Sequence, residues 1–279
     1  MKTAIVTGAN SGMGLATTID LARKGIHVVM ACRNEEKGKT ALEEARKKSR
    51  TPHIDMMLLD LASLQSVRDF VDEFKTRYDR LDIIINNAGV VTPKRAETKD
   101  GFELEMGVNH LGHFLLTNLL LEQLKESEDG RIVIISSGAH KWGNIHFDDP
   151  HMEKGFNIFK GYGQSKLANV LFMKELDKRL RTTNVTVNAV HPGAVSTGLG
   201  IDRETGFGKG IVRLLRPFFQ TPAEGANTAV HLAVDSHLRH LSGKYFHNHD
   251  EAAVSKRAED EMLARRLWEW SVREVGLGE

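Results

Sequence analysis

A tyrosine and a lysine stand four residues apart in the segment GYGQSK, at Tyr162 and Lys166. If the segment is helical, both side chains lie on one face. A free tyrosine loses its proton near about pH 10, and a nearby ammonium group lowers that pKa by favouring the phenolate. Such a pair can give a proton to a carbonyl oxygen, or take it back in the reverse reaction. Without further partners, the same residues are more typical of a packing tyrosine and a solvated lysine.

A glycine-rich segment, TGANSGMG, follows the first apolar run and has the pattern TGxxxGxG. An apolar helix is predicted to begin directly after it. A pyrophosphate can approach a helix N-terminus only where the turn backbone is unobstructed and its N–H groups are free. The pattern therefore predicts dinucleotide binding, which would bring a hydride donor to the protein. The residues assigned to this turn are Gly8, Asn10, Ser11, Gly12, Met13 and Gly14.

The second apolar run ends in MACRN, at the position that selects the cofactor. In dinucleotide folds an acidic residue about 20 positions after the glycine turn binds the ribose 2′-hydroxyl. Here Cys32 and Arg33 occupy that position, with Asn34 next. An arginine can hold a 2′-phosphate through a charge-assisted fork and stack on the adenine. We therefore predict NADP(H) rather than NAD(H); the alternative is a solvated surface arginine.

Short apolar runs alternate with amphipathic segments along the chain. The predicted buried strands are Thr3–Thr7, His27–Ala31, Ile54–Leu59, Asp82–Asn86, Arg131–Ser136 and Thr186–His191. The clearest predicted helices are Glu35–Lys48, Ser63–Tyr78 with Ser63 as its N-cap, and a capping-box helix from Thr221 to about Val234. The alternation predicts an α/β fold, a doubly wound parallel sheet with helices on both faces, in a single domain over residues 1–279.

The segment 198–220 differs from the rest of the chain. It holds five glycines, followed by an apolar cluster between Ile211 and Phe219. Glycine hinges before an apolar helix predict a mobile substrate lid. The alternative is a loop with a surface helix packed on the core.

Composition excludes several classes of function. The 279 residues are 41% hydrophobic and 27% charged, with a formal net charge of +1, which gives no electrostatic basis for binding nucleic acid or an anionic membrane. Cys32 is the only cysteine, which fits a reducing compartment. The longest apolar region, 111–124, is too short and too polar to span a bilayer, and the first strand leaves no room for a signal peptide. We expect a cytoplasmic protein.

Taken in order, the motifs resemble the short-chain dehydrogenase/reductase family over roughly residues 1–250. They are TGxxxGxG, NNAG at Asn86–Gly89, Asn109, the doublet Ser136-Ser137, Tyr162-xxx-Lys166 and HPG at His191–Gly193. The segments VNHLGHFLLTNLLL and YGQSKLAN are most similar to retinol-dehydrogenase-type and carbonyl-reductase-type members. The resemblance implies a Rossmann-type fold and an NADP-dependent oxidoreductase that interconverts a carbonyl and an alcohol.

The resemblance also implies roles for four residues. Tyr162 would be the general acid in reduction and the base in oxidation. Lys166 would lower its pKa and bind the nicotinamide ribose. Ser137 would hydrogen-bond the substrate oxygen, and Asn109 would hold a water of the proton path. Ser137 is chosen over Ser136 because the family uses the second serine of this doublet. Strand geometry does not decide between them, since neighbouring side chains point in opposite directions and the sequence does not fix where the strand ends.

Further cofactor contacts follow from the same resemblance. Asp60 would meet the adenine amino group, although it could also cap a helix. The backbone at Asn87 and Ala88 would lie near the adenosine ribose, and Thr197 near the nicotinamide carboxamide. The remaining contacts assigned on this basis are Leu61, Gly89, Pro192, Gly193 and Val195.

The substrate is expected to be a bulky hydrophobic ketone or aldehyde. An inserted segment between Ser137 and Tyr162 could wall an apolar pocket together with the cluster at 211–219. Its candidate wall residues are His140, Trp142, Ile145, Phe147 and Met152. A sugar epimerase or dehydratase is a poorer match to the glycine spacing and the length.

A catalytically silent dinucleotide-binding regulator is the alternative from a different class. Among the thirteen histidines, pairs such as His110 and His113 have metal-like spacing, but we predict no metal because zinc needs further ligands. A homo-oligomer is possible through the helix carrying Tyr162, where Val170 and Met173 could equally be core.

Overall fold

The fold was analysed in a computed structural model that describes residues 1–193 and 221–278. Within them, eight strands form one sheet in the order β3-β2-β1-β4-β5-β6-β7-β8, parallel except for the antiparallel β7–β8 pair. The strands are β1 Thr3–Thr7, β2 His27–Cys32, β3 Ile54–Leu58, β4 Ile83–Asn86, β5 Gly130–Ile135, β6 Val185–His191, β7 Tyr245–His247 and β8 Asp250–Glu251. The predicted class and the six predicted strands are confirmed, with ends shifted by one residue at most.

Helices occupy the connections between the strands. They are α1 Gly12–Arg23, α2 Glu35–Ser49, α3 Leu64–Arg77, α4 Leu104–Met106, α5 Gly112–Leu119, α6 Leu121–Lys125, α7 Ile158–Leu180, α8 Pro222–Val234 and α9 Glu261–Glu274. A π-helical turn, Gly107–Leu111, joins α4 to α5, and a short 3₁₀ turn, Gly138–Lys141, follows β5. None of the helices in these ranges is long and apolar enough to cross a membrane.

Side chains alternate between the two faces of the sheet along each strand. Helices cover both faces, so there is a core cluster on each side. On β1, Ile5 packs with one core cluster, while Ala4 and Val6 pack with the other. The first cluster is covered by α3, α5, α7 and α9, and the second by α1, α2 and α8. This two-sided burial explains why the strands are nearly continuous runs of Val, Ile and Ala.

Two helix starts follow the predicted capping chemistry. Ser63 Oγ accepts from the Ser66 N–H at 3.3 Å and begins α3. Thr221 and Glu224 form a reciprocal capping box at the start of α8. Each satisfies N–H groups that a helix start leaves without a partner.

The order of strands reverses between β1 and β4. From β1 the chain adds β2 and β3 on one side of the sheet, and then returns to add β4 on the other side of β1. In open α/β sheets, ligands bind in the crevice at the carboxyl ends of the strands where such a reversal occurs. The glycine turn after β1 and the NNAG segment after β4 lie at this edge. The fold therefore places the predicted cofactor residues together.

The C-terminal helix α9 covers part of α7. Trp268 packs against Phe172 with 5.9 Å between ring centroids, and the Arg179 guanidinium lies 4.2 Å from the Trp268 ring centre. Val170 and Met173 are both 0% exposed, so they are core residues. Sequence analysis did not predict α9, β7 or β8.

Candidate active site

The glycine turn after β1 is built for close backbone approach. Gly8 and Gly12 have φ of +65° and +55°, which side chains rarely tolerate. A Cβ at Gly14 would lie 2.4 Å from the Gly8 carbonyl oxygen and 2.6 Å from Asn87 Nδ2. Ser11, which precedes α1, makes no side-chain cap, and the first turn of α1 carries no acidic residue. The N–H groups at this end therefore face no competing carboxylate, which suits a phosphate.

A buried hydroxyl fixes the NNAG segment against this turn. Thr7 Oγ1 accepts from the backbone N–H of Asn87 and of Ala88, both at 2.9 Å, and lies 2.8 Å from His113 Nε2. The Asn87 side chain donates to the Thr7 carbonyl oxygen at 2.7 Å. Burial lowers the pKa of His113 to about 4, so its ring is neutral. Its Nδ1 lies 3.2 Å from the Asn109 carbonyl oxygen, which can only accept, so Nδ1 carries the proton.

The end of β2 carries no carboxylate, as the sequence shows, and Arg33 is exposed there. Within residues 1–193 and 221–278, Arg33 has no ion pair. Asn34 is the N-cap of α2 and accepts from the Lys37 N–H at 2.9 Å. Burial raises the pKa of the Cys32 thiol to about 12, so Cys32 is an inert core residue.

Asp60 lies beyond β3 and does not cap α3, a role that belongs to Ser63. Its carboxylate accepts from the Ala62 N–H at 3.1 Å and pairs with Lys99 at 3.1 Å. Leu61 is buried, and its carbonyl oxygen lies 2.6 Å from where a Cβ on Gly112 would sit. The capping alternative for Asp60 is therefore wrong, while its adenine contact stays a prediction.

Tyr162 and Ser137 meet at the carboxyl end of β5. The Ser137 hydroxyl interacts with Tyr162 in the direction that lowers the tyrosine pKa, and its Oγ accepts from the Ala139 N–H at 3.2 Å. Ser136 points the other way, is 2% exposed, and donates to the Lys166 carbonyl oxygen at 2.8 Å. The two serines thus have different contacts: Ser137 faces Tyr162, and Ser136 links the end of β5 to α7 through the Lys166 carbonyl.

Lys166 lies one helical turn after Tyr162 and is 4% exposed. Its ammonium nitrogen is 5.5 Å from the Tyr162 ring centre and 3.3 Å from the Ile135 carbonyl oxygen, to which it donates. A Cβ on Gly89 would lie 3.8 Å from this nitrogen. The predicted pair therefore shares one face of α7 and sits directly beside the NNAG segment.

The protein's own groups do not lower the pKa of Tyr162, contrary to the expectation from its lysine. Burial raises the pKa of Tyr162, the hydrogen bond from Ser137 opposes that rise, and the Glu105 carboxyl adds to it. Burial likewise lowers the pKa of Lys166 to about 8, and Glu105 opposes that change. Desolvation outweighs the neighbouring charge at both residues, because each charged form loses water without gaining a close counter-ion.

Asn109 lies in the π-helical turn, and its side chain is fully engaged. Oδ1 accepts from the Val90 N–H at 2.7 Å, while Nδ2 lies 3.0 Å from both the Val90 carbonyl oxygen and Ser165 Oγ. Any water that Asn109 holds would therefore have to use its backbone. π-helical turns are often found at functional sites.

His140 is a site residue that sequence reasoning misplaced. It was expected to wall a pocket, but it is 0% exposed. Its Nδ1 lies 2.7 Å from the Ser137 carbonyl oxygen, and its Nε2 accepts from the Ser255 N–H at 3.3 Å. His140 thus fixes the residue that faces Tyr162. Its role depends on contact with Ser255, 115 positions away, and no sequence motif indicates that contact.

The other proposed wall residues also pack mostly into the protein. Ile145 and Met152 are 7% and 4% exposed, and the Arg266 guanidinium lies 3.9 Å from the Phe147 ring centre. Trp142 is the exception at 58% exposed, and it lies against Gly163 on α7. Among the proposed wall residues, Trp142 is therefore the one available to an apolar ligand.

The HPG motif ends β6 at the same edge of the sheet. The His191 ring stacks on His247 at 4.7 Å, and Gly193 has φ of +80° after Pro192. The predicted contacts Val195 and Thr197, and the predicted lid at 198–220, lie outside the described residues. In the part of the chain that is described, no three His, Cys, Asp or Glu side chains are grouped as a metal site.

Comparison with known proteins agrees with this geometry. Residues 2–206 match the family model for short chain dehydrogenases. Human retinol dehydrogenase 13 is 47% identical over 283 residues, covering 99% of this chain and 85% of that protein. Human retinol dehydrogenase 14 is 44% identical over 297 residues, covering 99% and 87%.

Solved structures share the fold. A putative uncharacterized protein from Mycobacterium paratuberculosis matches with a TM-score of 0.80 and 32% identity, over 99% of this chain and 94% of that one. A Shigella flexneri short chain dehydrogenase complexed with NADP matches with a TM-score of 0.70 and 23% identity, over 89% and 97%. At that identity, the second likeness supports the fold alone.

Proposed function

Since the chain belongs to the short chain dehydrogenase family, we propose that it is an NADPH-dependent oxidoreductase that interconverts a hydrophobic carbonyl compound and its alcohol. Membership of the family makes it an oxidoreductase, and the choice of cofactor and substrate is the proposal. The observation that carries it is the buried Lys166 ammonium, 5.5 Å from the Tyr162 ring centre at the carboxyl end of β5, beside a glycine turn that admits close backbone approach.

The protein's own residues supply binding, orientation and the proton. When bound, NADPH would supply the hydride. Ser137 would hold the substrate oxygen next to the Tyr162 hydroxyl, which would donate its proton as negative charge develops on that oxygen. In oxidation the Tyr162 phenolate would take the proton from the alcohol. Lys166, whose ammonium donates to the Ile135 carbonyl, would bind the ribose hydroxyls of the cofactor.

The turn residues fit a dinucleotide. The space beside Gly14 is closed to a Cβ by the Gly8 carbonyl, so only glycine allows the observed turn. The uncapped start of α1 offers free N–H groups to a pyrophosphate. Arg33, which is exposed and has no ion pair among the described residues, would hold the 2′-phosphate. A reducing compartment such as the cytoplasm suits the buried thiol of Cys32.

Arg33→Ala is expected to raise the Kd for NADPH by about tenfold or more, because a charge-assisted contact is worth roughly 1.5–3 kcal/mol. The Kd for NADH should change by less than about twofold, since NADH lacks the 2′-phosphate. Fluorescence titration with both cofactors measures this. Arg181→Ala removes an exposed arginine at the far end of α7 and serves as the control. Equal loss of both cofactors, or no loss of NADPH, would contradict the assignment.

The proposed substrate class rests on Trp142, whose exposed indole lies against Gly163, the residue after Tyr162, and on the names of the retinol dehydrogenases. We expect aryl and long-chain aldehydes and ketones, retinal among them, to have higher kcat/KM than small polar carbonyls or sugar derivatives. Trp142→Ala should reduce that preference without affecting NADPH affinity. A clear preference of the wild-type enzyme for polar substrates would overturn the substrate class while leaving the family reaction intact.

A further inference from the structure

Glu105 on α4 is a buried acid that the reaction described above does not use. It is 0% exposed and lies between the segment after NNAG and the first turns of α7. Its Oε1 accepts from the Thr92 N–H at 2.7 Å and lies 3.3 Å from Thr92 Oγ1. Its Oε2 is buried and has no hydrogen-bond partner among the described residues.

The free oxygen points at the start of the catalytic helix. A Cβ built on Gly161 would lie 2.9 Å from Oε2, so the carboxyl group touches the backbone directly before Tyr162. A larger residue at 161 would displace this contact. The packing thus brings a carboxyl group up to the helix turn that carries the proton donor.

We propose that Glu105 is a titratable positioning residue of the active site, which holds the segment at Thr92 with one oxygen and opposes ionisation of Tyr162 when its carboxyl group is charged. The proposal deepens the proposed function and rests on it for the role of Tyr162. It adds a third proton-holding group to Tyr162 and Lys166.

The electrostatics of the site agree with this geometry. Burial raises the pKa of Glu105 to about 8, while the Thr92 hydrogen bonds lower it, the neighbouring Glu103 raises it and Lys166 lowers it. Glu105 is therefore mostly neutral near pH 7 and charged above its pKa. A negative charge there disfavours a phenolate at Tyr162 and favours an ammonium at Lys166.

Other ionisable groups face the same pair. Tyr245 on β7 interacts with Tyr162, and burial raises the Tyr245 pKa above its usual value. His113 and His191 face Lys166, and burial lowers the pKa of each to about 4, so both are neutral where Glu105 titrates. Lys166 itself, with a pKa of about 8, is largely neutral where Tyr162 titrates. At alkaline pH, Glu105 is thus the charged group among the described residues that acts on Tyr162 from outside its own helix.

The direct test follows tyrosine ionisation by near-ultraviolet absorbance, without cofactor or substrate. The chain has three tyrosines, and burial raises the pKa of Tyr78 and Tyr245 strongly, so Tyr162 should ionise first. Glu105→Gln keeps the acceptor for Thr92 but cannot be charged. We expect its first tyrosine midpoint to lie at least about half a pH unit below that of the wild type. Tyr162→Phe, which should lack this first step, assigns it.

Glu103→Gln is the matched control. Glu103, the N-cap of α4, is equally buried, but its two oxygens accept from the N–H groups of Glu105 and Met106. The proposal is overturned if Glu105→Gln leaves the midpoint unchanged, or if Glu103→Gln moves it as far. If Glu105→Gln does not fold, carbon-13 NMR of the glutamate carboxyl groups in the wild-type protein replaces the absorbance test. A glutamate carboxyl group that titrates near pH 8 supports the proposal, and the absence of any glutamate that titrates above about pH 6 refutes it.

The pH dependence of kcat/KM is a second test of the role of Glu105. The ratio of Glu105→Gln to wild-type kcat/KM in the oxidation direction should be near one at about pH 6.5 and rise above about pH 8, where the wild-type carboxyl is charged. A ratio that is constant with pH would indicate a purely structural role and contradict the proposal. Because the absorbance titration needs no turnover, failure of the proposed reaction would be seen separately.

Discussion

Tyr162→Phe is expected to lower kcat by about a thousand-fold or more while the protein still binds NADPH. The phenyl ring keeps the packing of the half-buried tyrosine but removes the hydroxyl that would donate the proton. General acid catalysis by a positioned side chain contributes about 10²- to 10⁴-fold, and the variant loses that contribution. Steady-state kinetics with a hydrophobic aldehyde, together with a cofactor binding titration, measure both quantities.

Tyr78→Phe is the matched control for this variant. Tyr78 follows α3, and its hydroxyl donates to Asp55 at 2.8 Å, away from the site. Its loss should affect stability by about 1 kcal/mol and leave kcat within about twofold of the wild type. If Tyr162→Phe kept a tenth of the wild-type kcat, Tyr162 could not be the proton donor.

Gly14→Ala is expected to give the second large effect, on the cofactor. The added methyl group would lie 2.4 Å from the Gly8 carbonyl oxygen and 2.6 Å from Asn87 Nδ2, both parts of the proposed phosphate and ribose site. The backbone must move, because these contacts are far shorter than van der Waals distances. We expect the Kd for NADPH to rise at least about tenfold and the protein to lose roughly 1–3 kcal/mol of stability.

Calorimetric titration with NADPH and thermal unfolding separate the two parts of this effect. Gly278→Ala is the control, since a Cβ there meets nothing within 4 Å. Wild-type affinity in Gly14→Ala would mean that the turn tolerates a shift, and that the cofactor does not depend on the close approach of Gly8 to α1.

Patterns among residues close together in the sequence predict most of the fold. The strands were readable because both of their faces are buried, which gives continuous apolar runs, and Ser63 and Thr221 marked helix starts because capping needs particular side chains at fixed spacing. The glycine turn and the pair at Tyr162 and Lys166 were readable for the same reason. The short strands β7 and β8 carry too few residues to show a pattern.

What could not be predicted depends on contacts between distant residues. Thr7 and His113 are 106 positions apart, and His140 and Ser255 are 115 apart, so no spacing rule links them. The direction of the Tyr162 pKa also depends on burial, which periodicity alone does not give. Glu105 is one of many acidic residues in the sequence, and only the packing of α4 against α7 sets it apart.

Transfer of hydride from NADPH to a hydrophobic carbonyl compound is the reaction proposed for this protein. It is tested most directly with NADPH deuterated at the transferred position of the nicotinamide C4 and retinal or an aryl aldehyde as acceptor. We expect an alcohol with deuterium on its carbinol carbon, formed in step with NADPH oxidation and absent with Tyr162→Phe. Tight NADPH binding with no labelled alcohol from any hydrophobic aldehyde or ketone would contradict it, and would favour a silent dinucleotide-binding regulator.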